Sequence, residues 1–211
     1  MDGIKRDQSL KLVGAVLMAI DHIGAVLFPE QIFLRIIGRL SFPVFAYDCA
    51  KGAHLSKNPA RYALRLAVFA VVSQLPYYLC FGHGKLNILF TLLYGLVCCV
   101  LWGEGGTVRI FSAALLFAGF WMPFLDYGAY GIISIFLFYV FYNKRLYASI
   151  LFAAATLAYS YSAGVYIQCF AVFSLFLIYP GISFGLKVPK YFFYFFYPAH
   201  LMLLWAVRLA L

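Results

Sequence analysis

Long apolar runs alternate with short polar or Gly/Pro-containing connections along the whole chain. Division at these connections predicts nine apolar spans: 10–28, 32–54, 60–81, 86–102, 107–124, 128–142, 146–161, 164–180 and 190–210. Several are nearer to about 16 residues than to the ~20 that cross a bilayer upright, so eight or ten spans also fit. The alternating pattern of membrane strands is missing. We therefore predict one domain, residues 1–211, that forms an all-α polytopic membrane bundle.

The composition strengthens this prediction. Hydrophobic residues make up 65% of the chain and charged residues 11%, whereas soluble domains have about 45–50% and about 25%. Such an excess of apolar side chains requires lipid as solvent, so the bilayer is an expected partner.

The five cysteines lie in or beside apolar runs without a CxxC spacing, which favours buried thiols over a disulfide framework or a metal site. The first apolar run lacks a small-residue cleavage site, so we expect no cleaved signal peptide.

The formal charge of +9 indicates membrane topology rather than nucleic-acid binding, because Lys and Arg collect on the cytoplasmic side of membrane proteins. We therefore predict a multi-pass inner-membrane protein with a cytoplasmic N-terminus, and nine spans place its C-terminus outside. This orientation places 12 of the 16 basic residues on the cytoplasmic side: Lys5, Arg6, Lys11, Lys51, Lys57, Arg61, Arg65, Arg109, Lys144, Arg145, Lys187 and Lys190.

Polar side chains in the middle of predicted spans are the main functional candidates: Asp21, His22, Arg39, Asp48, Gln74, Asn87 and His200. A charge at the bilayer centre costs at least ~2.5–3.5 kcal/mol, so each such residue suggests a functional site. The structural alternative is that they only pair with one another between helices, at about 0.6 kcal/mol per pair.

Lys11 and His22 share one helix face, since eleven residues correspond to about three turns plus 20°, or ~16 Å along the axis. Small side chains lie near that face and leave room for a groove. A cation at the cytoplasmic mouth and an imidazole deep inside suit a long ligand with an anionic head and a reactive tip. Coenzyme A thioesters have this shape.

Asp21 points about 100° away from His22 on a regular helix, so the two cannot form a side-by-side dyad. We predict instead that Asp21 pairs with Arg39 at a similar depth in the second span, where Pro43 loosens the helix. His200 lies near mid-depth in the last span, as either a packing or a functional residue.

At these residues the sequence resembles the TraX family of membrane proteins, whose named member N-acetylates the pilin of a conjugative pilus. The resemblance is carried by "DHIGAVLFP" (21–29), "LRIIGRLSFPVFAY" (34–47), "QLPYYLCFGHGKLNILFTL" (74–92), "DYGAYGI" (126–132) and "FFYFFYPAHLMLL" (192–204). The Lys11–His22 spacing is also similar to the basic-x10-His pattern of the wider transmembrane acyltransferase superfamily.

The resemblance implies acetyl transfer from cytoplasmic acetyl-CoA to an amine or hydroxyl acceptor. His22 would be the general base or acyl relay, with Asp21 and Arg39 completing the catalytic motif. Asn87 and His200 would line the cofactor pocket beside Lys11. The resemblance assigns no role to Asp48 or Lys51. The basic cluster Lys57, Arg61 and Arg65 either binds CoA phosphates or only sets topology.

Several alternatives stay open at this point. Transfer is either direct, with Arg39 or Asn87 stabilising the oxyanion, or proceeds through acyl-His22. The acceptor is a protein amine such as a pilin N-terminus, or a sugar or lipid hydroxyl.

A proton-coupled transporter with an Asp21/His22/His200 relay is the main alternative function, although the two halves of the chain show no repeat of the kind that many transporters have. A purely structural or assembly protein would leave the mid-span charges unexplained.

Overall fold

The computed structural model describes residues 8–185, 188–189 and 191–211, and these residues form helices without a β-strand. The α-helices are α1 (Ser9–Val26), α2 (Ile32–Gly38), α3 (Ser41–Leu55), α4 (Pro59–Phe81), α5 (Ile88–Glu104), α6 (Val108–Ala118), α7 (Gly128–Val140), α8 (Arg145–Ser162), α9 (Leu175–Ile178) and α10 (Phe192–Ala210). Two 3₁₀ segments lie at Gly119–Trp121 and Tyr166–Ser174. The prediction of an all-α protein is confirmed.

Three helices in the described part of the chain, α1, α4 and α10, are long and apolar enough to cross a membrane. Shorter apolar helices occupy residues 88–104, 108–121, 128–140 and 166–178. The count of nine crossings and the cytoplasmic N-terminus stay predictions. Four of the basic residues used for the orientation, Lys5, Arg6, Lys187 and Lys190, lie outside the described residues.

The predicted continuous span 32–54 is wrong, because the chain forms two helices, α2 and α3, joined by a turn at Arg39 and Leu40. Pro43 is the third residue of α3. Proline has no N–H, so it cannot donate to the carbonyl of Arg39 four residues earlier, and it is tolerated best in the first turn of a helix. The turn places Arg39 at the end of α2, beside α1.

The predicted span 164–180 also differs from a regular α-helix. Its first part, Tyr166–Ser174, is a 3₁₀ helix of 9 residues, longer than most 3₁₀ segments. A 3₁₀ helix rises about 2.0 Å per residue, compared with about 1.5 Å in an α-helix. This segment therefore reaches further through the bundle than its residue number suggests, and it brings Gln168 next to Arg39.

The packing of α1 defines where the site lies. This helix contacts α2, α3 and α10, while α4 contacts α5 and α10. The main core cluster includes fully buried side chains of α3, α5, α7 and α8, among them Val44, Leu96, Ile135 and Phe152. The same cluster includes Leu66 of α4 and Leu201 of α10, and side chains of α1, α3, α4 and α10 also line a cavity.

Gly38 allows α2 to approach α1 closely. A Cβ atom at this position would overlap the side chain of Asp21. Gly24 of α1 has a similar role, because a Cβ there would lie 2.7 Å from the Cβ of Leu34. Two glycines, one on each helix, therefore set the distance between α1 and α2.

We expect Gly38→Ala to destabilise the protein by about 1–3 kcal/mol, as overpacking of a tight contact does. The added methyl group must push α2 away from Asp21. The measurement is the thermal unfolding midpoint of the detergent-purified protein. The matched control is Gly103→Ala, whose Cβ would meet the hydroxyl end of the Tyr139 side chain, an atom that can move. Equal effects of the two substitutions would contradict the prediction.

Candidate functional site

A cavity of about 650 Å³ lies between α1, α3, α4 and α10. At one end it is lined by residues from the start of α1, the end of α3 and the start of α4: Lys11, Asp48, Lys51, Ser56 and Arg65. At the other end it is lined by residues from α2 and from the loops before α5 and α7: Arg35, Lys85, Asp126 and Tyr127. The cavity thus runs along α1 and has polar groups at both ends.

The α1 face predicted to line a groove does line this cavity. Lys11, Ala15, Met18 and His22 all contribute to its wall. Gly14 instead lies against α3, where a Cβ would come 2.8 Å from Val44. The helical period therefore places the cation and the imidazole on one cavity wall, as the spacing predicted.

Asp21 forms the predicted ion pair with Arg39, with 2.6 Å between Asp21 Oδ1 and Arg39 Nη2. A second arginine, Arg35, donates to Asp21 Oδ2 at 2.7 Å and to the Asp21 carbonyl at 2.9 Å. The Asp21 and Arg39 residues are only 8% and 7% exposed. One buried carboxylate therefore holds two guanidinium groups from α2 and the following turn.

Arg39 is fixed on its other sides as well. Its Nη1 donates to Gln168 Oε1 at 3.3 Å, and its Nε donates to the Arg35 carbonyl at 3.3 Å. The guanidinium also lies 6.0 Å from the centre of the Tyr127 ring. These contacts connect the turn after α2 with the 3₁₀ segment and with the loop before α7.

His22 contacts His200 rather than Asp21. The distance between His22 Nδ1 and His200 Nε2 is 2.7 Å, and the two rings are nearly parallel, with 3° between their planes. His200 Nδ1 donates to the Phe196 carbonyl one turn earlier, at 2.8 Å. The edge of Phe81 packs against the His22 ring with 5.2 Å between centroids. The transporter relay is therefore only partly assembled, because Asp21 is bound to arginines and not to either histidine.

Lys11 forms an ion pair with Asp48, with 2.8 Å between Nζ and Oδ2. Both side chains line the cavity, as do Lys51 and Arg65. Arg65 Nε is buried and has no hydrogen-bond partner among the described residues. Within the part of the chain that the structure describes, Lys51 and Arg65 form no ion pair with an acidic side chain, so uncompensated positive charge lies at this end of the cavity.

Of the basic cluster Lys57, Arg61 and Arg65, only Arg65 lies at the cavity. Arg65 lines the cavity, whereas Lys57 and Arg61 are exposed and do not contribute to its wall. Asn58 begins α4 and accepts a hydrogen bond from the Arg61 amide at 2.9 Å. Lys57 and Arg61 thus lie around the start of α4, outside the cavity.

Asn87 is not a cavity residue, contrary to the sequence-based expectation. It is fully buried and precedes α5, where its Oδ1 accepts from the Leu89 amide at 3.0 Å. Its Nδ2 donates to the Ala70 carbonyl and to Gln74 Oε1, both at 2.8 Å. The amide is thus occupied in capping α5 and joining it to α4, so neither cofactor binding nor oxyanion stabilisation is available to it.

Asp126 and Tyr127 form the wall at the far end. Burial raises the pKa of the Asp126 carboxyl to about 6, although Lys85 and Arg39 lower it. Tyr127 has a φ of 60°, in the left-handed region, and its ring stacks on Phe42 at 4.2 Å. Such a conformation in a non-glycine residue costs on the order of 1–3 kcal/mol and is found preferentially at functional sites.

The sequence reasoning did not propose Arg35, Lys51 or Asp126 as site residues, and it named Asp48 as a candidate without giving it a role, yet all of them line the cavity. Arg35 precedes Arg39 by four residues, and this spacing places two side chains on one helix face. It could therefore have predicted that both arginines bind the same carboxylate. Asp48 and Lys51 lie three residues apart on α3 and therefore also on one face. Asp126 lies in a loop, so no periodic pattern could have placed it in the cavity.

The chain resembles known proteins over most of its length. Residues 6–208 match the protein family described as "TraX protein". A relative from Dichelobacter nodosus, described as a probable fimbrial assembly protein FimC, serogroup H1, is 25% identical over 96% of this chain and 95% of its own length. Protein TraX of Escherichia coli is 33% identical over 65% of this chain, and the match spans about half, 55%, of that relative. No solved structure matches the chain.

We expect Arg39→Gln to destabilise the protein by about 3–5 kcal/mol, because it leaves a buried carboxylate short of a partner. The matched control is Arg35→Gln, on the same carboxylate. The Arg35 side chain is 26% exposed, compared with 9% for Arg39. Solvent therefore screens the Arg35–Asp21 ion pair more strongly, and loss of this pair should lower the free energy of unfolding by less. The measurement is the free energy of unfolding in detergent. A larger loss for Arg35→Gln would contradict this ranking.

Proposed function

The chain belongs to the TraX family, and we propose that it transfers an acetyl group from acetyl-CoA to an amine or hydroxyl acceptor within the membrane. The observation that supports this most directly is that His22 lines the same cavity as Lys51 and Arg65, two cations without an acidic partner among the described residues. The donor has anionic phosphates at one end and a reactive thioester at the other. The cations would bind the phosphates, and His22, at a different depth of the same cavity, would act at the thioester.

The proposed donor site begins at Lys51 and Arg65. Arg65 has a buried Nε without a hydrogen-bond partner in the described part of the chain, and a guanidinium group binds phosphate oxygens well. Lys11 contributes less positive charge, because Asp48 already neutralises it. The narrow arm of the donor would follow the wall formed by Ala15 and Met18 towards His22.

The proposed reaction at His22 is direct transfer. His22 removes the proton of the acceptor amine or hydroxyl as the acceptor attacks the thioester carbonyl. The carbon–sulfur bond breaks as the new amide or ester bond forms, and the imidazolium returns the proton to the departing thiolate. Arg35 and Arg39 supply positive potential near the developing oxyanion. Asp21 holds both arginines in place.

The acceptor would enter from the opposite end, between Lys85 and Asp126. Entry from separate ends would let donor and acceptor meet at His22 without sharing a path. One relative, from Dichelobacter nodosus, is named as a probable fimbrial assembly protein, so the first acceptor to test is a pilin-type N-terminal amine. The long apolar helices α1, α4 and α10 support a membrane location for the proposed transfer.

We expect Arg65→Gln to weaken acetyl-CoA binding by about tenfold or more, which corresponds to ~1.4 kcal/mol or more of lost phosphate contact. The measurement is equilibrium binding of radiolabelled acetyl-CoA to the purified protein in detergent. Arg61→Gln is the matched control, one turn away on α4 but outside the cavity, and it should leave the affinity unchanged. A wild-type protein that does not bind acetyl-CoA would contradict the donor site.

We expect His22→Ala to lower the rate of acetyl transfer by about 10²–10⁴-fold, the usual contribution of a positioned base. Its affinity for acetyl-CoA should change little, because the phosphates bind at the other end of the cavity. The measurement is release of free thiol from acetyl-CoA in the presence of an amine-terminated peptide, with binding measured in parallel. A variant that binds the donor and transfers acetyl normally would remove His22 from the mechanism.

A further inference from the structure

The contact between His22 and His200 fixes where protons lie on both rings. His200 Nδ1 lies 2.8 Å from the carbonyl oxygen of Phe196. A carbonyl oxygen can only accept a hydrogen bond, so Nδ1 of His200 carries a proton. In a neutral imidazole the other nitrogen is then bare, and Nε2 of His200 can only accept.

The same reasoning passes to His22. Its Nδ1 lies 2.7 Å from His200 Nε2, and since that atom is an acceptor, Nδ1 of His22 must carry the proton. The remaining nitrogen, Nε2 of His22, is therefore unprotonated. It has no hydrogen-bond partner among the described residues, and the ring forms part of the cavity wall.

We propose that His200 is a positioning residue that holds His22 in the Nδ1–H tautomer and thereby presents its Nε2 to the substrates as the base. This inference rests on the proposed function of His22. It replaces the expectation that His200 binds the cofactor, because both nitrogens of His200 are occupied by His22 and Phe196.

The surroundings keep the two rings in this arrangement. His200 is only 9% exposed, and its ring also stacks on Phe196 with 4.8 Å between centroids. Phe81 and Tyr197 contact the His22 ring, at 5.2 Å and 6.3 Å between centroids. The contact joins α1 to α10, so rotation of either helix would break it.

The contact also assists the chemical step. When Nε2 of His22 takes a proton from the acceptor, the ring becomes an imidazolium and its Nδ1–H becomes a stronger donor. His200 Nε2 is already in place to accept that bond, so no rearrangement is needed as the charge develops. The hydrogen bond made by one ring nitrogen thus sets the role of the other.

The first experiment observes the tautomer without depending on activity. The full-length protein, labelled with ¹⁵N in its histidine rings, is studied by NMR in detergent micelles at a pH where His22 is neutral. Protonated and bare ring nitrogens have widely separated ¹⁵N shifts. The chain has four histidines, and the signals of His22 are identified by their loss in His22→Gln. We expect a protonated Nδ1 and a bare Nε2.

The second experiment removes the positioning residue. In His200→Ala the His22 signals should change to a mixture of both tautomers. The kcat for acetyl transfer should fall by about 10²-fold, near the lower end of what a base contributes, while the KM for acetyl-CoA is unchanged. His200→Gln, whose amide oxygen can accept from His22, should recover part of both the Nδ1–H signal and the kcat.

His54→Ala is the matched control. His54 also contacts a backbone carbonyl, that of Tyr139 at 2.9 Å, but lies outside the cavity. Its replacement should leave the His22 signals and the kcat unchanged.

A proton on Nε2 of wild-type His22, or an unchanged tautomer in His200→Ala, would overturn the proposal. If instead the wild-type protein shows the expected tautomer but transfers no acetyl group, the positioning contact stands and the proposed reaction fails. The wild-type spectrum decides the tautomer even if His200→Ala does not fold.

Discussion

The site depends on the burial of one carboxylate between two arginines. Asp21 is too costly to place in an apolar interior alone, and one arginine would itself leave little excess charge to bind a substrate. With Arg39 and Arg35 on its two oxygens, the cluster carries a net positive charge next to the cavity. Gly38 makes the arrangement possible, because it lets α2 approach Asp21 without a side chain between them.

The same cluster fixes the rotation of α1. Adjacent residues on a helix point about 100° apart, so holding Asp21 towards α2 directs His22 towards α10, where it meets His200. The two neighbouring ionisable residues therefore have different partners on different helices. Asp21 anchors the helix, and His22 is the residue that this anchoring orients. This explains physically why an acid and an imidazole stand side by side in an apolar run.

The cavity shows how polar groups can be distributed through an apolar bundle. One end carries the Lys11–Asp48 ion pair together with Lys51 and Arg65, which have no acidic partner among the described residues, and the other end carries Lys85 and Asp126. Between these ends, Ala15 and Met18 make the α1 wall apolar. One cavity is therefore lined both by the cations of Lys51 and Arg65 and by the imidazole of His22.

The amino-acid pattern was enough to predict the helical class, the shared face of Lys11 and His22 and the pairing of Asp21 with Arg39, because these follow from helical period and from the cost of buried charge. It did not determine the break at Arg39–Leu40, the capping role of Asn87 or the separation of Arg65 from Lys57 and Arg61. Only the tertiary structure brought His22 to His200, which is 178 residues away in the chain. The period of one helix says which residues share a face, but the partner that this face meets depends on how closely and at what rotation the helices pack.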